Sequence, residues 1–328
     1  MISYCFKSIT FESNKILMPD VLISGGTGLI GAHLSRYLVE KGYDVIVLTR
    51  KKNDTFTNPK IRFSYWNVEK KIIDTDVVNK ADHIIHLAGA GVMDKKWTAG
   101  YKKTILESRT KSAELIIASL KQNEHSLKTF VSASAIGWYG ADSKPLIRQE
   151  GFIESDAPAD NFLGETCKLW EASVEPLTAP GVRLVKLRTG IVLCSNGGAF
   201  KEYKAPLRFG IAAILGSGKQ IVSWVHIEDL CRMYCEAIEN NSLKGSYNAV
   251  APEPVSQKTL ILKLGQKLKR KFFTPIYVPG FFLRLIFGKR SIEILKSATV
   301  SNQKIKEAGF TFLYPSIEAA IDELVGHQ

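Results

Sequence analysis

The most chemically specific stretch of the chain is Gly25-Gly26-Thr27-Gly28-Leu29-Ile30-Gly31. It satisfies GxxGxxG through Gly25, Gly28 and Gly31, and GxGxxG through Gly26, Gly28 and Gly31. Such spacing answers three physical needs. One glycine makes a tight turn, a second lets a pyrophosphate approach the backbone, and a third lets helix and strand pack closely. N–H groups exposed at a helix start, with the helix dipole behind them, then hold the phosphates. The expected ligand is a dinucleotide. An acid about 20 residues further on would bond the ribose 2′-hydroxyl of NAD, whereas an arginine accommodates the 2′-phosphate of NADP. Here the chain reads Leu48-Thr49-Arg50-Lys51-Lys52, with no acid until Asp54. Arg50 offers a charge-assisted fork to a 2′-phosphate, so NADP is expected in preference to NAD. An ordinary basic loop is the plainer alternative.

These groups need elements to position them. An apolar run at 21–24 precedes the glycines, residues 29–40 follow at helical spacing, and 44–48 is a second apolar run. Strand, helix and strand in about 30 residues read as one βαβ unit of a parallel sheet. The alternation continues with a strand at 83–87, a helix at 101–120, a strand at 129–132, a helix at 164–174 and a strand at 182–187. The expected fold class is α/β: a doubly wound, mostly parallel Rossmann sheet with helices on both faces. That body is expected over 19–250. Pro252, Pro254, Pro275 and Pro279 interrupt the chain beyond it. A small, mostly helical substrate-side part is expected over 251–328, ending in a helix at 317–325.

The 328 residues carry 44 Lys+Arg and 32 Asp+Glu, a net charge of +12, with 45% hydrophobic and 23% charged residues. This excludes disordered, collagenous and disulfide-scaffold chains. No apolar run reaches the roughly 18 residues of a membrane-spanning helix. An odd count of five cysteines fits free thiols in a reducing compartment, so a cytoplasmic location is expected. Residues 1–17 lack the apolar core of a secretory signal. An N-terminal extension at 1–18 is expected, with Met18 as an alternative start. Residues 258–306 hold twelve Lys/Arg and one acid, Glu293, which is nearly the whole excess charge. A solvated helix face is the plain reading; nucleic acid, an anionic membrane or an acidic partner are the others. Within that stretch Phe281, Phe282, Leu283, Leu285, Ile286 and Phe287 are expected to be a core segment, with a homodimer seam and a membrane-surface helix as alternatives.

Taken together, the motifs resemble the extended short-chain dehydrogenases/reductases, and within them the atypical epimerase-family branch with a C-terminal domain of unknown function. The resemblance covers 20–325. It rests on the glycine loop, His86-Leu87-Ala88-Gly89, Glu107-Ser108-Arg109, Ser132-Ala133-Ser134-Ala135-Ile136-Gly137-Trp138-Tyr139-Gly140 and Arg188-Thr189-Gly190-Ile191-Val192-Leu193. Gly216-Ser217-Gly218-Lys219-Gln220, Trp224-Val225-His226-Ile227-Glu228-Asp229-Leu230 and Glu307-Ala308-Gly309-Phe310 complete it. The resemblance implies that Leu87, Ala88 and Gly89 end a strand against the cofactor. It also implies that Thr49 and Arg50 hold the adenosine phosphate, that Arg109 reaches the cofactor from the following helix, and that Val192 lies near the nicotinamide.

Enzymes of that superfamily pair a Ser or Thr with a Tyr-x-x-x-Lys helix; the tyrosine moves a proton while the lysine lowers the phenol pKa and holds the ribose. Ser134 matches the serine, and Lys168, followed by Trp170 and Glu171, matches the lysine. Gly164 stands where the tyrosine belongs, and glycine can neither donate nor accept a proton. Tyr139 and His226 are the substitute donors within reach of the pattern. Two further readings stay open: a proton supplied by substrate or relayed by water, or cofactor binding without turnover. The expected activity is an epimerase-like oxidoreductase acting on a small polar substrate; the rival is a non-catalytic NADP-binding regulator, which the resemblance links to cell division.

The remaining signals are weaker. Cys231 and Cys235 share a helix face without further ligands, so packing is expected and no metal site. His83 and His86 point to opposite faces of a strand. Trp224 and His226 are expected either to wall the substrate cleft or to pack a sheet edge. Nucleic-acid binding rests on the basic stretch alone and is not expected.

Overall fold

A computed structural model of the chain describes residues 19–51, 58–142, 149, 151–177, 181–269 and 272–326. The expected extension at 1–18 with Met18 lies outside the described residues, as do Lys52, Asp54, Arg270 and Lys271. The strands are β1 (Asp20–Ser24), β2 (Asp44–Thr49), β3 (Ile61–Tyr65), β4 (His83–His86), β5 (Thr129–Ala135), β6 (Arg183–Thr189), β7 (Ile191–Cys194), β8 (Ile211–Leu215), β9 (Ile221–Val222), β10 (Trp224–His226), β11 (Gly245–Ala249), β12 (Val255–Ser256) and β13 (Thr274–Val278). The helices are α1 (Leu29–Glu40), α2 (Thr75–Lys80), α3 (Ala99–Gln122), α4 (Phe162–Val174), α5 (Gly198–Leu207), α6 (Ile227–Glu239), α7 (Gln257–Lys269), α8 (Gly280–Phe287), α9 (Ser291–Leu295), α10 (Gln303–Glu307) and α11 (Ile317–Gly326).

Seven strands form one parallel sheet in the order β11-β6-β5-β4-β1-β2-β3. The α/β Rossmann-like expectation holds. Alternation along β1 explains the two layers. Val21 and Ile23 pack with Leu34 and Leu38 of α1 and with α6. Leu22, between them, packs on the other face with Ile116 of α3 and Phe130. Strand order reverses between β1 and β4, and the register aligns Ser24 with His86 and His86 with Ser132. The crevice beyond these strand ends is where open α/β sheets hold ligands.

Two edge strands are not among those read from sequence, β3 despite its alternation and β11 for want of apolar pattern. β3 alternates Ile61, Phe63 and Tyr65 with polar residues, and β11 is Gly-Ser-Tyr-Asn-Ala. A third core lies beneath the C-terminal helices. It joins Leu193, Phe200, Leu207 and Trp224 to Leu260, Ile261, Ile317 and Leu324, so it is discontinuous in sequence. Short pairs β12-β9 and β13-β8 stitch the two stretches together.

The segment at 281–287 corrects an expectation. It is not core: of its six apolar residues only Leu283 is buried, while Phe281, Phe282, Leu285 and Ile286 are exposed. A short helix with six apolar residues out of seven at 281–287 has, among the described residues, cover on one side only. Among the described residues, three cations of the basic stretch are paired with carboxylates. Lys263 pairs with Glu318 and Lys267 with Asp322 (2.6 Å) across α7 and α11, and Lys296 with Glu293 (2.6 Å). Among the described residues no helix is long and apolar enough to cross a membrane, and no His/Cys/Asp/Glu cluster could hold a metal.

Candidate functional site

The glycine loop forms a cradle over the carboxyl end of β1. Gly25 adopts φ +75, and a Cβ there would lie 2.8 Å from the Leu87 carbonyl carbon. A Cβ on Gly31 would lie 2.4 Å from the Gly25 carbonyl oxygen. Backbone therefore touches backbone on both sides, which only glycine permits. The Gly28 N–H donates to the Gly25 carbonyl (3.0 Å), closing the turn. Gly28 is also the N-cap of α1, and no side chain caps that end. The first-turn N–H groups of Leu29, Ile30 and Gly31 follow directly on the exposed Thr27 and Gly28. That arrangement, open backbone donors at a positive helix end, suits an anionic pyrophosphate.

Adjacent walls are built from β4 and α3. The Leu87 N–H donates to the Ser24 carbonyl (3.0 Å) and the Ala88 N–H to Ser24 Oγ (3.4 Å). Arg109 does not float on the helix surface. Its Nη1 donates to the Ala90 carbonyl (3.0 Å) and to the Ile105 carbonyl (2.7 Å), and its guanidinium lies 4.9 Å from the Trp170 ring centre. A Cβ on Gly89 would lie 3.0 Å from the Arg109 guanidinium carbon. Arg109 thus braces the Leu87-Ala88-Gly89 turn from behind. At the end of β2, Thr49 is buried and its Oγ1 accepts from the Lys51 N–H (3.2 Å), while Arg50 is exposed. Leu29 meets the loop after β7: a Cβ on Gly197 would lie 3.0 Å from its Cδ1. Val192, in β7, stands opposite Val225.

The residues expected to move protons are arranged differently. Ser134 and Tyr139 are 2% and 0% exposed. Ser134 Oγ donates to Glu171 Oε1 (2.7 Å). Arg188 grips the same carboxylate twice, Nε to Oε1 (2.7 Å) and Nη2 to Oε2 (3.0 Å). Arg188 Nη1 donates to Tyr139 Oη (3.1 Å) and to the Glu154 carbonyl (2.9 Å). Tyr139 Oη donates in turn to Asn248 Oδ1 (2.7 Å). The Trp138 ring covers the guanidinium at 3.6 Å. Burial pushes the Tyr139 phenol up to about 12, against the opposing pull of Arg188. The arrangement is a buried, satisfied network joining β5, α4, β6 and β11. Sequence reasoning missed Arg188, Asn248 and Glu154 as its members. The one signal was the run of cations Arg183, Lys186 and Arg188 within a single strand, β6.

Lys168 stands apart from Ser134. It is exposed and pairs with Glu165 (3.5 Å) one turn earlier. The side of α4 that meets the loop after β5 presents Leu163 and Cys167, which lie against Gly137. The Cys167 thiol is pushed up to about 12 by burial and stays protonated. At Gly164 a Cβ would sit 2.0 Å from the Ala159 carbonyl oxygen, so no side chain fits there. His226 is also withdrawn. Its Nδ1 accepts from the Glu228 N–H (3.2 Å) and its Nε2 donates to Glu323 Oε2 (2.7 Å), the neutral tautomer that burial favours. Trp224 is fully buried with its indole N–H on the Glu253 carbonyl (2.9 Å), so both residues pack the sheet and do not wall a cleft. Cys231 and Cys235 are buried in the α6 core, as expected.

Residues 21–162 match the model of the NAD dependent epimerase/dehydratase family, and residues 278–324 match a domain of unknown function, DUF1731. An epimerase family protein of Staphylococcus saprophyticus, SSP1921, is 34% identical over 311 residues, spanning 94% of this chain and 100% of that protein. SAR0825 of Staphylococcus aureus is 33% identical over 308 residues, spanning 94% and 99%. The crystal structure of human epimerase family protein SDR39U1 (isoform 2) with NADPH superposes with a TM-score of 0.81 at 26% identity, covering 94% of this chain and 100% of that one. A nucleoside-diphosphate sugar epimerase from Corynebacterium glutamicum superposes with a TM-score of 0.73 at 28% identity, over 95% of this chain and 59% of that one. With a glycine cradle on a parallel Rossmann-like sheet and relatives matched along nearly their whole length, the chain belongs to the epimerase family, its body of the NAD dependent epimerase/dehydratase type and its C-terminal end a DUF1731 domain.

Proposed function

We propose that the chain binds NADP(H) beyond the carboxyl ends of β1, β2 and β4 and uses it as an epimerase-like oxidoreductase on a small polar substrate. The observation that carries the reading is the cradle. Gly25 and Gly31 leave no room for a Cβ, and the first turn of α1 behind the exposed Thr27 and Gly28 has no side-chain cap. The exposed Arg50 at the end of β2 supports the phosphorylated form of the cofactor, since a guanidinium fork matches a 2′-phosphate. NADPH in the human relative's structure points the same way.

In this reading the backbone of Gly25 and of Thr27, Gly28, Leu29, Ile30 and Gly31 holds the pyrophosphate. Thr49 and Arg50 hold the adenosine side, and Leu87, Ala88 and Gly89 line the cleft with Arg109 bracing them. Val192 lies toward the nicotinamide end. The bound cofactor supplies the hydride acceptor or donor. Ser134 and Tyr139 hold the wall of the site through Glu171, Arg188 and Asn248. The proton then comes from the substrate or from a relayed water. A second reading, cofactor binding without turnover, has one observation in its favour: both hydroxyls are already committed inside the buried network.

Fluorescence titration with NADPH and NADH tests the proposal. Tighter binding of NADPH is expected, and Arg50→Ala should weaken it about tenfold or more, the loss of a hydrogen bond to a charged group worth roughly 1.5–3 kcal/mol. Binding of neither nucleotide sinks the reading. NADPH binding without oxidation by any carbonyl or sugar-nucleotide substrate would favour the second.

A further inference from the structure

We propose that the exposed face of α8, with the 93–96 loop beside it, is a docking surface for an anionic lipid bilayer. Phe281 (64% exposed), Phe282 (47%), Leu285 (79%) and Ile286 (58%) all reach solvent, whereas Leu283 (2%) anchors the helix to the body. At 3.6 residues per turn the four exposed residues span an arc of about 140°, and Leu283 falls outside it. Ile292 of α9, 63% exposed, extends the patch beyond the helix end. Isolated exposed apolar residues need no explanation, but a contiguous group of large ones on a single helix does.

Charge decides between occupants. Residues 281–292 contain Arg284, Lys289 and Arg290 and no acid. Arg284 and Lys289 are exposed, and neither has a carboxylate partner among the described residues. This contrasts with α7, whose Lys263 and Lys267 are neutralised by α11. Arg290 Nη1 donates to the Met93 carbonyl (2.5 Å), which brings the exposed Met93, Lys95 and Lys96 alongside, with one acid, Asp94, among them. The surface is therefore apolar at its centre and net cationic at its edge. A second copy seated by two-fold symmetry would bring together two net-cationic patches with no acid in 281–292 to offset them. A bilayer carrying anionic lipid meets both demands at once. Its acyl boundary takes the phenyl and aliphatic side chains, and its headgroups take the cations.

Co-sedimentation of the full chain with vesicles tests this, using phosphatidylglycerol mixed into phosphatidylcholine and phosphatidylcholine alone. Binding to the anionic vesicles at low salt is expected, with little to the neutral ones. Arg284→Gln with Lys289→Gln should lower the partition coefficient about tenfold or more, since each cation near the surface contributes roughly a factor of five. Phe281→Ser with Leu285→Ser should lower it at least about tenfold through lost apolar insertion. Because all four side chains are exposed, circular dichroism and the thermal melt should match the parent for both variants. Three outcomes overturn the proposal: no binding to anionic vesicles, equal binding to neutral vesicles, or binding indifferent to both variants. A concentration-dependent dimer abolished by Phe281→Ser with Leu285→Ser, without vesicle binding, also overturns it and assigns the face to a second copy.

Discussion

Replacing Tyr139 by phenylalanine separates a proton donor from a structural hydroxyl. The phenol is wholly buried, donates to Asn248 Oδ1 at 2.7 Å and accepts from Arg188 Nη1 at 3.1 Å. Phenylalanine keeps the ring and its stacking on Phe152, 5.1 Å between centres. What is lost is one neutral hydrogen bond, about 1 kcal/mol, and one to a charged group, about 1.5–3 kcal/mol, so the variant should be roughly 2–4 kcal/mol less stable. Nothing in the cradle touches this hydroxyl. NADPH affinity at a temperature where both proteins are folded should therefore change less than about twofold. Guanidinium unfolding measures the first quantity and fluorescence titration the second. A general acid would behave in the opposite way, with stability nearly unchanged and turnover lowered by about 10²–10⁴. A stability loss under about 0.5 kcal/mol would refute the structural assignment, because a satisfied buried hydroxyl cannot be removed that cheaply. The pH response carries the same logic. The folded phenol is held at about 12 while the unfolded one ionises near 10, so its contribution is intact below pH 10 and is lost as pH rises toward the folded value.

Restoring the missing tyrosine through Gly164→Tyr should not create a donor. A Cβ 2.0 Å from the Ala159 carbonyl forces the chain apart, and the variant should lose on the order of 3 kcal/mol or fail to fold, seen in its thermal melt. Gly31→Ala drives a Cβ to 2.4 Å from the Gly25 carbonyl; the cradle must open, and NADPH affinity should fall about 5- to 150-fold, matching an overpacking cost of roughly 1–3 kcal/mol. Acid should destabilise the protein before its carboxylates titrate. Burial lowers His83 to about 4 and His86 to about 3, so below pH 6.5 the unfolded chain takes up protons that the folded one refuses. Stability should then fall by roughly 1.4 kcal/mol per pH unit for each histidine, and His83→Gln should reduce the total slope by about that single-histidine amount in urea titrations between pH 6 and pH 4.

The sequence by itself determined five of the seven sheet strands, the glycine loop and the family resemblance. Those features are local: β1, the glycine loop, α1 and β2 occupy one short βαβ stretch, and their periodicity and glycine spacing do not depend on what packs around them. The roles expected of Leu87, Ala88, Gly89, Arg109 and Val192 came from the family resemblance of the motifs rather than from local periodicity. Tertiary structure alone decided what the polar residues do. Ser134, Glu171, Arg188 and Asn248 come from four separate elements and Tyr139 from the loop after β5, and the register of β5, β6 and β11 brings them together. Lys168 matched a motif by spacing, yet its direction on α4 follows from which helix face meets β5, and that face carries Cys167. At 281–287 composition favoured a core, but burial depends on whether a second layer covers the helix, and among the described residues none does over Phe281, Phe282, Leu285 and Ile286. Apolar content records only a tendency to leave water; the partner that satisfies it is a property of the assembled fold.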